Sequence, residues 1–381
     1  MGGSGRIAVF FLTVLSIWTL MHLYAAWRLS AVAASLRIPG RVAVAVLGFL
    51  WLAYPLGRIL DRTGWSFSLA VALEYLGACW MGVLFLLVMA LLAAELLTGF
   101  GAWQRAAVPM RGALAAIALL LAGVGLVQGN RPPVIERHEV FLPKLPPELD
   151  GLKLCQLSDL HLGTILGRRW LEARLAQVQS LAPDLVVVTG DLVDGNARHV
   201  EALVPLLAQL RAPLGVFAVT GNHEYYAGLE RSVKLLEAAG YRVLRDTHVE
   251  VAPGLVLAGV DDLTARRQFG AKHQALEKAL QGRPPGACIL LSHTPWDVTR
   301  AEALGVQLML SGHTHGGQIW PFGILVRLSY PYLEGLYQVG SLWLYVSRGT
   351  GTWGPRMRLW RPAEVTLFTL RSSASNPSQT S

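Results

Sequence analysis

The apolar pattern of the chain changes character once. Over residues 7–127 apolar positions run in long blocks broken by short, arginine-bearing connections; from Arg131 onward they come in brief runs divided by mixed segments. Crossing a hydrocarbon core takes about 20 apolar residues in a helix. Four stretches reach that scale: residues 7–27, 42–60, 69–97 and 112–128. The third is longer than needed, so it is expected to tilt or extend past the bilayer. Trp27, Trp65 and Trp103 lie near the predicted ends, where interfacial anchors sit. Glu74, Glu95 and His22 are read as interfacial residues near span ends, with a polar contact between helices as the other possibility for the two glutamates.

Past residue 130 the pattern predicts an α/β domain. Residues 134–142 alternate as a first strand, and 143–147 form a turn-rich link. Strand-sized apolar runs follow at 152–157, 185–189, 216–220, 255–258, 289–292 and 308–311. Helical spacing covers 168–181, 197–210, 229–239 and 271–280. Runs at 343–347 and 365–370 are expected to close a second sheet. The predicted organisation is a transmembrane region over 1–130, a globular domain over 131–371 and a polar, Ser-rich, disordered tail over 372–381.

Composition adds limits. Of 381 residues 53% are apolar, and the formal charge is +8. The arginines are scattered, with no basic run of the kind that forms a nucleic-acid arm, so loops beside anionic headgroups are the better account. Cys79, Cys155 and Cys288 fall in apolar runs and read as buried small hydrophobes, not a disulfide framework. The first and third connections carry Arg28, Arg37, Arg41, Arg105 and Arg111. The N-terminus and second connection carry Arg6, Arg58 and Arg62, a bias that places the C-terminal domain outside the cytoplasm. A rival reading makes the first span a signal peptide cleaved near Ala31-Val32-Ala33, although its apolar core is long for one.

Five polar blocks carry the candidate chemistry. They are Ser158-Asp159-Leu160-His161, Gly190-Asp191, Gly221-Asn222-His223-Glu224, Ser292-His293 and Gly312-His313-Thr314-His315, each where a predicted strand ends. Carboxylate, amide and imidazole donors in this mix suit a pair of hard or borderline divalent cations, and so point to metal-assisted attack of water on a phosphate ester. Each block alone would read as a cap or turn; five in order do not.

These blocks, in this order and with gaps of roughly thirty residues between the first three, resemble the calcineurin-like metallophosphoesterase family over residues 134–370. The run Gly312-His313-Thr314-His315-Gly316-Gly317-Gln318 is similar to its bacterial membrane-associated branch, which carries spans ahead of the catalytic domain and implies a bacterial plasma-membrane location. The resemblance implies a four-layer αββα sandwich of two mixed sheets. It also implies two divalent ions, the choice among Mn, Fe, Zn and Co staying open. Asp159, His161 and His315 would hold one ion, Asn222, His293 and His313 the other, with Asp191 bridging and His223 beside the phosphate as acid or charge stabiliser.

The expected activity is hydrolysis of phosphodiester or pyrophosphate bonds, with lipid or lipid-linked substrates favoured by the spans. Two alternatives stay open: a hydrolase of soluble monoesters or cyclic nucleotides using the spans as an anchor, and a non-catalytic, metal-stabilised interaction module. Glu224 is expected to orient His223 or to cap a helix, and Asp261 and Asp262 to form a turn or cap. His199, His248 and His273 read as solvated, and Arg327, Arg348, Arg356, Arg358 and Arg361 as exposed or strand-edge, with a phosphate clamp among them the lesser possibility. Trp320, Trp353 and Trp360 are expected to pack the sheet in preference to lining an approach for a lipid chain.

Overall fold

The computed structural model describes residues 3–269 and 274–372. His273, the start of the helix predicted at 271–280 and residues 373–381 of the predicted tail lie outside them. The chain forms two compact units. One is Met1–Arg131 with Gly354–Trp360; the other is Pro132–Trp353 with Arg361–Ser381.

The first unit has four long helices: α1 (Gly3–Ser35), α2 (Gly40–Thr63), α3 (Phe67–Leu97) and α4 (Gln104–Gly129). Among the described residues three of them, α2 to α4, are long and apolar enough to cross a membrane. Small residues set the packing of α2 on α3. A Cβ added at Gly57 would stand 2.6 Å from Glu74 N, and one at Gly77 would stand 2.6 Å from Tyr54 Cα. Only glycine admits so close an approach.

Polar groups then fasten the helices together, which departs from the interfacial reading of Glu74, Glu95 and His22. Arg58 of α2 reaches buried Glu74 at 2.9 Å. Arg28 of α1 and Arg111 of α4 converge on buried Glu95 at 3.0 and 2.7 Å. His22 is buried too, accepting from Trp80 Nε1–H (2.9 Å) while its Nδ1–H donates to the Trp18 carbonyl (2.8 Å). Inside an apolar bundle a carboxylate without water needs such partners. The segment Gly354–Trp360, assigned by sequence to the second domain, packs within this unit: the Arg358 N–H donates to the Gly125 carbonyl at 2.9 Å.

The second unit contains two six-stranded sheets, its strands numbered in chain order. The first sheet runs β1 (Val134–Leu142), β12 (Glu364–Ser372), β2 (Lys153–Leu157), β3 (Leu185–Thr189), β4 (Val216–Val219) and β5 (Arg242–Val243). The second runs β10 (Gly335–Val339), β11 (Leu342–Val346), β9 (Leu308–Ser311), β8 (Ala287–Leu291), β7 (Leu255–Gly259) and β6 (Thr247–Ala252). The run at 365–370 therefore does not close the second sheet. It lies in the first, parallel to β1 and antiparallel to β2.

Among the described residues nine shorter helices complete the order: α5 (Arg168–Gln179), α6 (Ala197–Glu201), α7 (Val204–Leu207), α8 (Asn222–Ala227), α9 (Leu229–Ala238), α10 (Leu263–Phe269), α11 (Ala275–Leu280), α12 (Val298–Ala303) and α13 (Phe322–Val326). The single helix predicted at 197–210 is broken in two, with Pro205 in the first turn of α7, where a missing N–H costs nothing.

Strand alternation sorts the core into three apolar layers. Val186 and Val188 of β3 face α5 and the helices around it, whereas Leu185 and Val187 face the other sheet. In β8, Ile289 and Leu291 meet that same central layer while Cys288 and Leu290 face α11 and α12. Strands buried on both faces explain why these runs read as unbroken apolar stretches. The result is helix, sheet, sheet, helix.

The Glu95 cluster gives a direct test. Glu95→Ala leaves two partly buried arginines without their carboxylate and should destabilise the detergent-solubilised chain by about 3 kcal/mol. Arg168→Ala, which removes an exposed pair, should cost under about 1 kcal/mol. Equal losses of melting temperature for the two would contradict the assigned role of Glu95.

Candidate metal centre

All five polar blocks emerge at carboxyl ends of strands, where open α/β sheets collect ligands. Asp159 and His161 follow β2, Asp191 follows β3, and Asn222 and His223 begin α8 just after β4. His293 follows β8, and His313 and His315 follow β9. The strands β2, β3 and β4 are mutually parallel, as are β8 and β9, so each sheet delivers its loops at one end.

The loops are held in unusual backbone conformations. Asp159, His161, Asp191, His313 and His315 all have left-handed φ, between 48° and 71°. For a residue with a side chain this costs about 1 kcal/mol or more. Neighbouring loops hold it in place: Asp159 N–H donates to the Gly190 carbonyl (3.0 Å), His161 N–H to the Asp191 carbonyl (2.9 Å) and Gly312 N–H to the His293 carbonyl (2.9 Å). Glycine is required at two contact points. A Cβ on Gly190 (φ 89°) would lie 2.7 Å from His293 Nδ1, and one on Gly221 would lie 2.6 Å from Asp191 N.

The side chains form two clusters. In one, His161 Nε2 faces His315 Nε2 at 3.1 Å, and Asp159 Oδ1 lies 3.4 Å from His315 Nε2. In the other, His293 Nε2 lies 3.1 Å from Asp191 Oδ2 and 3.2 Å from His313 Nδ1. Asp191 Oδ2 is also 3.8 Å from His161 Nε2, so this carboxylate stands between the clusters. Outer partners fix the rings. His293 Nδ1–H donates to the Thr189 carbonyl (2.8 Å), which turns Nε2 toward Asp191. His313 Nε2 meets the Tyr330 hydroxyl at 2.8 Å. His223 lies beside the first set, its ring centroid 4.7 Å from that of His161 and its Nδ1 2.9 Å from Asp194 Oδ1, so that His161, Asp194 and His223 make a third group of donors close enough to hold an ion.

Burial and mutual charge dominate the electrostatics. Burial pushes the Asp159 carboxyl up to about 6, against the pull of His293. Burial and the neighbouring His223 take His161 down to about 4; burial and His293 take His313 down to about 3. Asp191 resists its burial because His293 and His223 hold it well below the usual carboxylate range. Burial would lower His223 as well, but Asp191 and Asp194 overcome it and lift the ring to about 9.

These donors fit divalent cations. Two ligands each about 2.0–2.2 Å from a four-coordinate ion lie roughly 3.3–3.6 Å apart, close to the spacings within both clusters. Asp159, His161 and His315 form one buried group able to hold an ion, and Asp191, His293 and His313 another. Asn222 Oδ1 and His161 Nδ1 are buried without a hydrogen-bond partner, and buried polar atoms in that state need an explanation.

Other residues fall into place around this core. Glu224 does not orient His223. Fully buried, it accepts from Gly221 N–H (2.7 Å), Asp191 N–H (3.0 Å) and Val193 N–H (2.9 Å), and so binds two ligand loops together. Asp194, which orients His223, was missed, although an acid three positions after Asp191 was a visible signal. Nothing in the sequence marked Tyr330. Asp262 caps α10 through Ala265 N–H (2.6 Å), and Asp261 accepts from Thr220 (2.9 Å). His248 donates to the Ala279 carbonyl at 2.8 Å and is not simply solvated. Arg348 pairs with Glu364 at 2.6 Å and with Glu136, and Arg361 pairs with Glu334. Trp320, Trp353 and Trp360 do not pack the sheet; each is about half exposed.

A profile of the calcineurin-like phosphoesterases matches residues 152–317. A Danio rerio "transmembrane protein with metallophosphoesterase domain" is 38% identical over 269 residues, covering 68% of this chain and 62% of that protein. The chain thus spans a little under two thirds of that relative's length. An uncharacterized metallophosphoesterase of Aquifex aeolicus is 38% identical over 244 residues, 63% of this chain and 93% of its own length. Among solved structures, a dimetal phosphatase from Danio rerio superposes with a TM-score of 0.34 at 14% identity, covering 53% of this chain and 88% of that one. With the Aquifex aeolicus relative aligned across 93% of its length and the five blocks gathered at the strand ends, the chain belongs to the calcineurin-like metallophosphoesterase family.

Proposed function

We propose that the chain is a membrane-anchored hydrolase that cleaves phosphodiester or pyrophosphate bonds of lipid or lipid-linked substrates with two divalent cations. The observation that carries this reading is the pair of buried donor clusters meeting at Asp191. Asp159, His161 and His315 would hold one ion, and Asn222, His293 and His313 the other, with the two carboxylate oxygens of Asp191 serving both. When bound, such ions act as Lewis acids toward phosphate oxygens and bring the ionisation of water into the neutral range. His223, fixed through Nδ1 by Asp194, has Nε2 left to donate a proton to the leaving oxygen or to stabilise developing charge. Tyr330 and the Thr189 carbonyl keep His313 and His293 turned toward the ions.

The lipid preference is supported by the anchor. Besides the three helices that qualify by length and composition, α1 is read as a fourth span. Residues 130–133 are all that joins α4 to β1, a tether of at most about 14 Å. So short a link raises the local concentration of bilayer-borne phosphate esters around the hydrolase. The arginine bias of the first and third connections supports an extracytoplasmic hydrolase domain.

Four experiments test the reading. Asp191→Ala should bind fewer than two metal equivalents and lose hydrolysis about a hundredfold or more, with unchanged helical content by circular dichroism; full metal content and activity would contradict it. His223→Ala and Asp194→Asn should lower kcat while keeping both metals, the first by about a hundredfold, since Asp194 acts only through the ring.

In mixed micelles the purified chain should cleave a phospholipid or a lipid-linked diphosphate. Turnover of soluble diesters alone would remove the lipid preference. Alkaline phosphatase fused after Ser381 should be active in a bacterial host; an inactive fusion beside a fluorescent cytoplasmic reporter at the same site would reverse the orientation.

A further inference from the structure

Beyond the metal ligands the second unit exposes an apolar rim. After the His315 loop the chain passes through Trp320 and α13 to Leu328, and α13 has no buried residue. Trp320, Phe322, Ile324, Leu325 and Leu328 all face outward, with Ile324 63% and Leu328 82% exposed. Single exposed apolar residues are ordinary, but a contiguous run of them marks an interaction surface. Segment 320–328 holds one charge, Arg327, which is exposed and basic.

The rim connects to the metal centre. A cavity of about 400 Å³ lies beneath it, lined by Trp320, Ile324, Arg327 and Arg361 and reaching Gly316, the neighbour of His315. Gln318 clasps the Trp353 backbone through two hydrogen bonds, its Nε2–H donating to the carbonyl (2.9 Å) and its Oε1 accepting from the N–H (3.0 Å). Trp353 is half exposed, and its ring centroid lies 6.2 Å from that of His223. Apolar and aromatic surface thus continues from α13 to the edge of the site.

We propose that segment 320–328, together with Trp353, inserts into the bilayer interface and sets the mouth of the metal centre at the level of lipid headgroups. This rests on the membrane-anchored reading above and names the surface that meets the lipid. Three features favour a bilayer over a protein partner. The same chain carries membrane-spanning helices on a short tether. The one charge in the segment complements anionic headgroups. Tryptophan, at both Trp320 and Trp353, is the residue type enriched at membrane interfaces.

The test uses the full chain in vesicles of phosphatidylcholine and phosphatidylglycerol. Ile324→Cys, Leu328→Cys and Gln281→Cys, the last an exposed polar site, are each labelled with an environment-sensitive fluorophore. Cys79, Cys155 and Cys288 are buried and stay unlabelled. Labels at 324 and 328 should be quenched at least twofold by doxyl lipids and little by aqueous iodide, with the reverse at 281. Iodide quenching at 324 and 328 equal to that at 281 would overturn the proposal. So would shielding from both quenchers, which would mean that protein covers the rim. Having two positions guards against one variant misfolding. The readout needs no turnover, so failure of insertion and failure of the phosphoesterase reading are told apart.

Discussion

Holding ionisable side chains together away from water is the constraint on which this site is built. Asp159, Asp191, His161, His293, His313 and His315 converge within a few ångströms, nearly all of them buried. Burial strips charge from some of them, pushing the Asp159 carboxyl up to about 6 and taking His161 down to about 4 and His313 to about 3, while Asp191 and His293 hold each other charged against their burial. Divalent cations suit such a cluster, because an ionised carboxylate and a neutral imidazole are what they bind. The cluster is therefore costly as a purely structural feature and well suited to binding metal.

The scaffold meets that cost through rigidity. Strands buried on both faces fix where each loop begins, and Glu224 and the backbone bonds between loops then hold Asp159, His161, Asp191, His313 and His315 at left-handed φ. Strain of this kind persists only where surrounding structure over-determines the backbone. The helical unit contributes differently. Its buried Arg–Glu contacts and its glycine-mediated packing hold its helices to one another.

Much of this was legible in the chain because the signals are local. Fully apolar runs such as 185–189 and 308–311 announce central strands, and the polar block after each one announces a loop at a strand end. What stayed hidden was set by tertiary context. β12 reads like any apolar strand, and only its pairing with β1 and β2 places it in the first sheet. The two-residue β5 is too short to carry a pattern, and β6 alternates over only a few positions, Val249 and Val251. Asp194 and Tyr330 act through one hydrogen bond each, and spacing alone cannot reveal a partner. Glu74 and Glu95 were misread because a carboxylate near a span end can reach water unless arginines on neighbouring helices, distant in sequence, claim it first. The exposed tryptophans went the other way, since composition favours packing and only the surface shows otherwise.

The most direct test of the dinuclear centre is an anomalous difference map from crystals of the full chain grown with manganese. Two peaks about 3.5–4 Å apart, one between His161 and His315 and one between His293 and His313, with Asp191 touching both, are the predicted result. A single peak elsewhere, or none from protein that hydrolyses phosphate esters, would contradict the account.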